Sequence, residues 1–353
     1  MKMIFVVGAS RSGTSMLNMV LGMNSDVKAL NELHYFGDLW SHLNKNEQMT
    51  TEKLSKNATR LLARHFIGYW GGAPTELHCR IAAEIVDGLE PHQRNNKDLF
   101  PAVMEWIAGD SDVEFVSEQT PRNIFFASEI LKSYPNANVI QIVRDPRGVL
   151  VSQKRRWRRK FMGVKIVPWR EVARNWVNYH PITISKLWKK AAKLGIALEA
   201  HPRFMQVRYE DIAGNPQEQI SSICEFIGLE YHEGMLNVPE QGSSNRLNVK
   251  KSVGISADFV EAWRGILTRG EMAYCEKITK IEMEHFGYER LAGNFPLASI
   301  LLSTLLFPVH AIGVLLINPT RALQQFRSYI GKWIVTIEKY GAIYFLWRTH
   351  TIS

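Results

Sequence analysis

Eight residues near the N-terminus, Gly8-Ala9-Ser10-Arg11-Ser12-Gly13-Thr14-Ser15, carry the first chemistry in this sequence. They have the G-x-x-x-x-G frame of a phosphate-binding loop, but Thr14 stands where a nucleoside triphosphatase has its lysine. Successive backbone N–H groups around Ser12, Gly13, Thr14 and Ser15, opening onto a helix N-terminus, favour a 5′ phosphate through unpaired amides and the helix dipole. Without the lysine, β and γ phosphates lack their usual counter-charge. Arg11 supplies a cation on the other side of the loop, suited to the bridging oxygens of a shorter, phosphosulfate-like group.

A second basic cluster begins at Arg144-Asp145-Pro146-Arg147. A helix starting near Arg147 would present Ser152 and Arg156 on one face, where a phosphate monoester meets two guanidinium groups and a hydroxyl. The plainer reading has Arg144 capping or pairing with Asp145, and the run 154–160 as a solvated basic face or a contact for an anionic acceptor or membrane surface.

The elements that position these residues follow from periodicity. Residues 3–7 form a continuous apolar strand, the loop follows, and 16–23 have helical spacing. A second strand–loop–helix unit starts at 139–143, and further strands are predicted at 203–208 and 114–116. The fold class is α/β, an open and mostly parallel sheet flanked by helices, whose carboxyl edge is the ligand edge. Segments 71–74, 94–97 and 238–254 read as loops.

Composition bounds the partners. Of 353 residues, 46% are hydrophobic and 22% charged, an ordinary globular balance, and the net charge of +9 calls for anionic partners. Three widely spaced cysteines, Cys79, Cys224 and Cys275, fit a reducing compartment and make no metal motif. The glycine-rich loop follows Lys2 and a short apolar run at once, which leaves no room for a signal-peptide core or a leading anchor. Nucleic acid is disfavoured, because the basic run has one interleaved aromatic, Trp157, and no recognised module.

Residues 295–317 contain no Asp, Glu, Lys or Arg, and 23 residues are long enough to span a bilayer. Pro296, Pro308 and His310 interrupt the run, so a helix lying in the interface or a buried hairpin competes with a span. The following segment mixes aromatic and basic residues (Arg321, Phe326, Arg327, Lys332, Trp333, Trp347), as membrane interfaces do. The predicted organisation is a domain over 1–293 and a C-terminal apolar helical appendage over 294–353. The appendage makes membrane contact, which places a cytoplasmic protein on the cytosolic face.

Taken in order, these motifs resemble the sulfotransferase family, with the tyrosylprotein and broad bacterial branches most similar. Arg11-Ser12-Gly13-Thr14-Ser15 resembles the family's 5′-phosphosulfate loop, and Arg144 with Ser152 and Arg156 its 3′-phosphate segment. Arg208-Tyr209-Glu210-Asp211 is similar to the R-Y-E-D motif whose tyrosine lies beside the nucleotide. The resemblance runs over about residues 1–290. It implies a P-loop-like fold, 3′-phosphoadenosine 5′-phosphosulfate (PAPS) as co-substrate with no metal, and a hydroxyl-bearing acceptor: carbohydrate, lipid or glycolipid, or tyrosine. It also implies Glu32 as the general base, at the interval from Arg11 seen in the tyrosylprotein branch, with His34 as rival. Where relatives often carry a lysine that neutralises the leaving phosphate, this chain has Gln119, so that work falls to Arg11 or Arg122. Ser244 and Lys251 lie where relatives close a loop over the nucleotide, just before a tryptophan-bearing helix around Trp263.

Two other functions compete: a P-loop kinase or NTPase, against which the missing lysine counts, and a non-catalytic nucleotide-binding, membrane-tethered protein. The segments 37–113 and 161–200 would set acceptor specificity, although for most of their aromatics (Trp40, Tyr69, Trp70, Trp106, Trp169, Trp176, Tyr179) a place in the core is expected.

Overall fold

A computed structural model describes residues 1–40, 47–69, 72–109, 113–158, 168–239, 254–255, 257, 260–291 and 297–318, with only the backbone at 297–303 and 306. Its centre is a five-stranded sheet of order β2-β3-β1-β4-β5, formed by β1 (Lys2–Gly8), β2 (Val27–Ala29), β3 (Phe115–Glu118), β4 (Ala137–Val143) and β5 (Phe204–Arg208). Every pairing is parallel, as the sequence predicts for most of the sheet.

The alternation of side chains divides the core into two layers. Phe5 and Val7 of β1 face one layer, with Tyr35, Phe36, Phe100 and Tyr134, while Ile4 and Val6 face the other, with Leu17, Val20, Ile220 and Ile223. A central parallel strand covered on both faces must be apolar at every position, which is why residues 4–7 read as an unbroken hydrophobic run. Helix α1 (Thr14–Leu21) follows β1. The helices α2 (Thr51–Phe66), α3 (Glu76–Asp87), α4 (Asn96–Ala108) and α5 (Ala127–Ser133) lie between β2 and β4 in the chain. After β4 come α6 (Pro146–Lys154), α7 (Trp169–Val177) and α8 (Pro181–Ile196), and after β5 come α9 (Tyr209–Gly214), α10 (Pro216–Ile227), α11 (Arg269–His285) and α12 (Leu297–Ile317).

The strand order reverses between β1 and β4, so the two loops that leave their carboxyl ends meet at a topological switch point, where open α/β sheets bind ligands. Those loops are residues 8–15 and 144–147. Strand β2 is missing from the sequence reading because three residues carry no period. The expected helix around Trp263 is instead a series of turns before α11.

Helix α12 has 21 residues and no charged side chain. One side packs on protein: the Tyr274 and Thr304 hydroxyls bond, the His180 and His310 rings pack tilted with centroids 4.7 Å apart, and Asn318 Nδ2 donates to Asn178 Oδ1 at 2.9 Å. Leu305, Val309, Ile312 and Leu316 are exposed along the other. Among the described residues, no helix is long and apolar enough to cross a membrane. Trp40 is buried as expected, whereas Trp169 and Trp176 on α7 are exposed, against the expectation of core packing.

Candidate functional site

The loop after β1 takes its shape from two glycines. Gly8 has φ +156°, and a Cβ there would lie 2.4 Å from the Ile142 carbonyl oxygen, so β1 and β4 approach this closely only with glycine. Gly13, with φ +110°, precedes α1, and a Cβ on it would meet the Tyr209 ring at 2.7 Å. The first N–H groups of α1, which have no intrahelical partner, have no side-chain cap at Gly13 either. Beside them the Ser12 hydroxyl is fully buried, and its oxygen has no hydrogen-bond partner among the described residues. Buried polar groups are normally satisfied, and together with the open amides this hydroxyl fits an anionic group such as a 5′ phosphate.

The second loop closes on the first across the switch point. Arg11 Nε donates to Ser152 Oγ at 3.0 Å, and Arg144 Nη1 donates to the Arg11 carbonyl at 3.4 Å. Arg144 lies over the Tyr209 ring with its guanidinium carbon 4.3 Å from the centroid. Arg11, Ser12, Gly13, Arg144, Ser152 and Tyr209, spread over some 200 positions of sequence, therefore form one wall. Thr14 and Ser15 open α1, and Ser15 Oγ donates to Gln119 Oε1 at 3.2 Å, which brings Gln119 to the loop as well.

The other charges of these motifs are used structurally. Asp145 caps α6 and pairs with Arg147 at 2.7 Å, not with Arg144. Arg147 also bonds Glu276 at 2.9 Å and lies 3.9 Å from the Trp263 ring centroid, so its charge is spent inside the fold. Glu210 accepts from the Asp145 N–H at 3.0 Å and from the Tyr288 hydroxyl at 2.7 Å, which ties the end of β5 to the end of β4. Helix α6 ends at Lys154, so Arg156 starts the short 3-10 helix 156–158 that follows the turn at Arg155 instead of continuing the α6 face that carries Ser152. Arg122 bonds Asp38 at 3.3 Å.

Glu32 and His34, read as rivals, are partners. His34 Nε2 lies 2.9 Å from Glu32 Oε2. Burial pushes the Glu32 carboxyl up, but the hydrogen bond from His34 and the positive charges of His34, Arg156 and Arg11 outweigh it and hold the carboxyl below its usual range. A carboxylate thus stays ionised near Arg11 of the first loop, where it can accept a proton. The His34 and Tyr69 ring centroids lie 4.4 Å apart, so Tyr69, expected in the core from the sequence, is found beside Glu32 and His34. Trp188, whose Nε1 donates to the Arg144 carbonyl at 2.8 Å, carries no signal in the sequence, because nothing local marks a core tryptophan on α8 as a support for a loop 44 residues away. Ser244 and Lys251 lie outside the described residues.

A model of the sulfotransferase family matches residues 3–233 of this chain. Carbohydrate sulfotransferase 1 of Danio rerio is 29% identical over 164 residues, 44% of this chain and 39% of that protein. The Homo sapiens carbohydrate sulfotransferase 1 is 25% identical over 168 residues, 45% and 40% of the two chains. The matched stretch thus spans about two fifths of these curated relatives. Among solved structures, the sulfotransferase domain from the Synechococcus PCC 7002 olefin synthase superposes with a TM-score of 0.54 at 16% identity, covering 82% of this chain and 95% of that one. The sulfotransferase domain from the curacin biosynthetic pathway gives 0.51 at 20% identity, covering 82% and 98%. At such identities the likeness establishes the fold.

Proposed function

This chain belongs to the sulfotransferase family, and from that premise we propose that it transfers a sulfuryl group from PAPS to a carbohydrate hydroxyl. The observation that carries the reading is the meeting of the two phosphate motifs, with Arg11 bonded at once to Ser152 and to Arg144. One loop then serves the 5′ phosphosulfate, through the Ser12 hydroxyl and the amides of Gly13, Thr14 and Ser15, the Ser12 N–H being bonded to the Ala9 carbonyl at 3.1 Å, while Arg144, Ser152 and Arg156 serve the 3′ phosphate and Tyr209 the nucleotide. The carbohydrate acceptor is supported by the names of the relatives. An NTPase reading is disfavoured because Thr14 replaces the lysine that β and γ phosphates need.

In the proposed step, Glu32 takes the proton of the acceptor hydroxyl as its oxygen bonds to sulfur, and the bond from sulfur to the bridging phosphate oxygen breaks. The products are a sulfate ester and 3′-phosphoadenosine 5′-phosphate, whose new charge meets Arg11 and the loop amides. His34 holds the Glu32 carboxylate in place by its 2.9 Å contact. Arg122, the other nominee for the leaving group, is engaged by Asp38, which supports Arg11.

We propose further that residues 1–293 form the catalytic domain and that 294–353 hold it at the cytosolic face of a membrane. The support is the exposed apolar stripe of α12 and the basic residues that follow it in sequence. A hydroxyl-bearing acceptor with a lipid tail would meet the site there.

The test is transfer of labelled sulfate from PAPS to a panel of oligosaccharides. Labelled sugar is expected from the wild type, with turnover about a hundredfold lower in Glu32→Gln and nucleotide affinity almost unchanged. No labelled sugar from any member, or transfer that survives Glu32→Gln, would count against acceptor and base respectively.

A further inference from the structure

Residues 31–34 belong to no helix or strand, yet they carry the acid–base pair, so something else must aim it. His34 has φ +49°, a left-handed conformation that costs an ordinary residue about 1 kcal/mol and persists only where the surroundings over-determine it. Here both peptide faces are gripped. Glu118, the last residue of β3 and fully buried, accepts the Leu33 N–H at 3.1 Å, the Thr120 hydroxyl, and Asn123 Nδ2 at 2.7 Å. The Thr120 oxygen in turn accepts the His34 N–H at 3.1 Å. From the opposite side, Arg64 of α2 donates through Nη1 to the Leu33 carbonyl at 2.7 Å and the His34 carbonyl at 3.0 Å, and through Nη2 to Asp38 at 3.0 Å. Leu33 is itself fully buried.

Both N–H groups and both carbonyls of Leu33 and His34 are thus bonded to side chains from β3, from the segment just after it and from α2. Among the described residues the turn has no backbone partner for those groups, and Glu118, Thr120 and Arg64 supply the partners instead. Its cost is evident, since burial pushes the Glu118 carboxyl up and the Thr120 and Leu33 hydrogen bonds offset this only in part. A core position of this kind is ordinarily filled as well or better by an apolar side chain. What the carboxyl achieves is local geometry: with Leu33 pinned inward, the residues on either side of it project together, and Glu32 meets His34 beside Arg11 and Arg156.

We infer that Glu118, Thr120 and Arg64 are positioning residues that clamp the left-handed turn at His34 and so aim the Glu32–His34 pair at the acceptor. This rests on the reading of Glu32 as the base. Proton transfer depends on distance before it depends on acidity, and a displacement of about 1 Å can cost about a hundredfold in rate.

The experiment compares Thr120→Val, which is nearly isosteric but cannot accept the His34 N–H or donate to Glu118, with Thr120→Ser, which can do both. Measured are kcat as a function of pH, affinity for 3′-phosphoadenosine 5′-phosphate, and the melting temperature, with Glu32→Gln alongside. Thr120→Val is expected to lower kcat at least about tenfold with nucleotide affinity within about twofold. The acidic limb of its kcat profile should move to higher pH as Glu32 loses His34, and Thr120→Ser should restore both. A purely structural role would lower the melting temperature and leave the limb where it was. Should Thr120→Val not fold, Arg64→Lys, which keeps the charge but not the paired donors, takes its place with the same expectations. Wild-type turnover and an unshifted limb in the clamp variant beside an inactive Glu32→Gln would overturn this inference alone. Wild-type turnover in Glu32→Gln would overturn the base assignment and this inference with it.

Discussion

Arg144, proposed to serve the 3′ phosphate, is held from several sides. Its guanidinium lies on the Tyr209 ring, its carbonyl is fixed by Trp188, and Gly148 leaves room beneath it, where a Cβ would come 3.1 Å from Arg144 Nε. A cation stacked in this way keeps its planar face occupied and its edge directed, which suits a phosphate monoester. Arg144→Ala should therefore weaken binding of 3′-phosphoadenosine 5′-phosphate roughly ten- to a hundredfold, the worth of one charge-assisted hydrogen bond of about 1.5–3 kcal/mol. Adenosine 5′-phosphosulfate, which has no 3′ phosphate, should lose little, and titration calorimetry with both nucleotides checks it; equal losses would remove Arg144 from that role. Glu32 gives a pH signature at the same scale. Because its carboxyl is held below the ordinary range, activity that needs it ionised is present at neutral pH and is lost only as pH falls through that lowered value. His34→Ala removes the hydrogen bond and charge that oppose burial, so the acidic limb of kcat should move upward; a limb that stays put would mean that the titrating group is not Glu32.

Elements decide whether those residues meet. Gly8 ends β1 opposite Ile142 of β4, and it is the close backbone approach there that lets the loops 8–15 and 144–147 share an edge. Gly8→Ala would set a methyl group 2.4 Å from a backbone oxygen, which cannot swing aside as a side chain could, at a φ of +156°. Overpacking of this kind costs about 1–3 kcal/mol, or about 2–12 °C in melting temperature for a domain of this size. The stabilisation by added 3′-phosphoadenosine 5′-phosphate should vanish with it, as differential scanning fluorimetry would read; a variant that still melts higher with nucleotide would show that the loops tolerate a wider gap. The sequence reveals β1 and β4 because central parallel strands are apolar throughout, and the loop after β1 because glycines at fixed spacing are a local signal. It does not reveal β2, three residues long, or the end of α6, where Arg155 stands in place of a glycine or proline stop. Nor could it join Arg11 to Ser152, 141 positions apart, or Glu118 to Leu33, because such bonds depend on sheet order, which no local pattern carries.

At the scale of the whole molecule, the proposal for membrane association turns on which face of α12 is free. The packed face is committed to Tyr274, Asn178 and His180, so the helix already belongs to the fold, and its exposed residues Leu305, Val309, Ile312 and Leu316 recur at spacings of four, three and four on the opposite side. A helix held along one side by protein has one side left for lipid, which is the geometry of a helix lying in the interface and not of a span. Two forces would hold it there, and their sizes differ. Burying a large aliphatic side chain is worth about 1.5–3 kcal/mol, so even half-immersion of four gives several kcal/mol. Each Lys or Arg near an anionic surface adds about 1 kcal/mol, and salt screens that share alone. Sedimentation with vesicles of mixed phosphatidylcholine and phosphatidylserine should therefore carry the full-length protein down at low salt, and raising the salt to about 1 M should weaken the binding without abolishing it, because screening removes only the electrostatic part. Serine at all four stripe positions should leave the protein in the supernatant even at low salt while its melting temperature still rises with 3′-phosphoadenosine 5′-phosphate, because the packed side of α12 is untouched. Binding that disappears with salt in the wild type would make basic residues the anchor and the stripe incidental. A quadruple variant that no longer folds, beside a wild type that never sediments, would make the stripe part of the protein's own packing and end the membrane proposal.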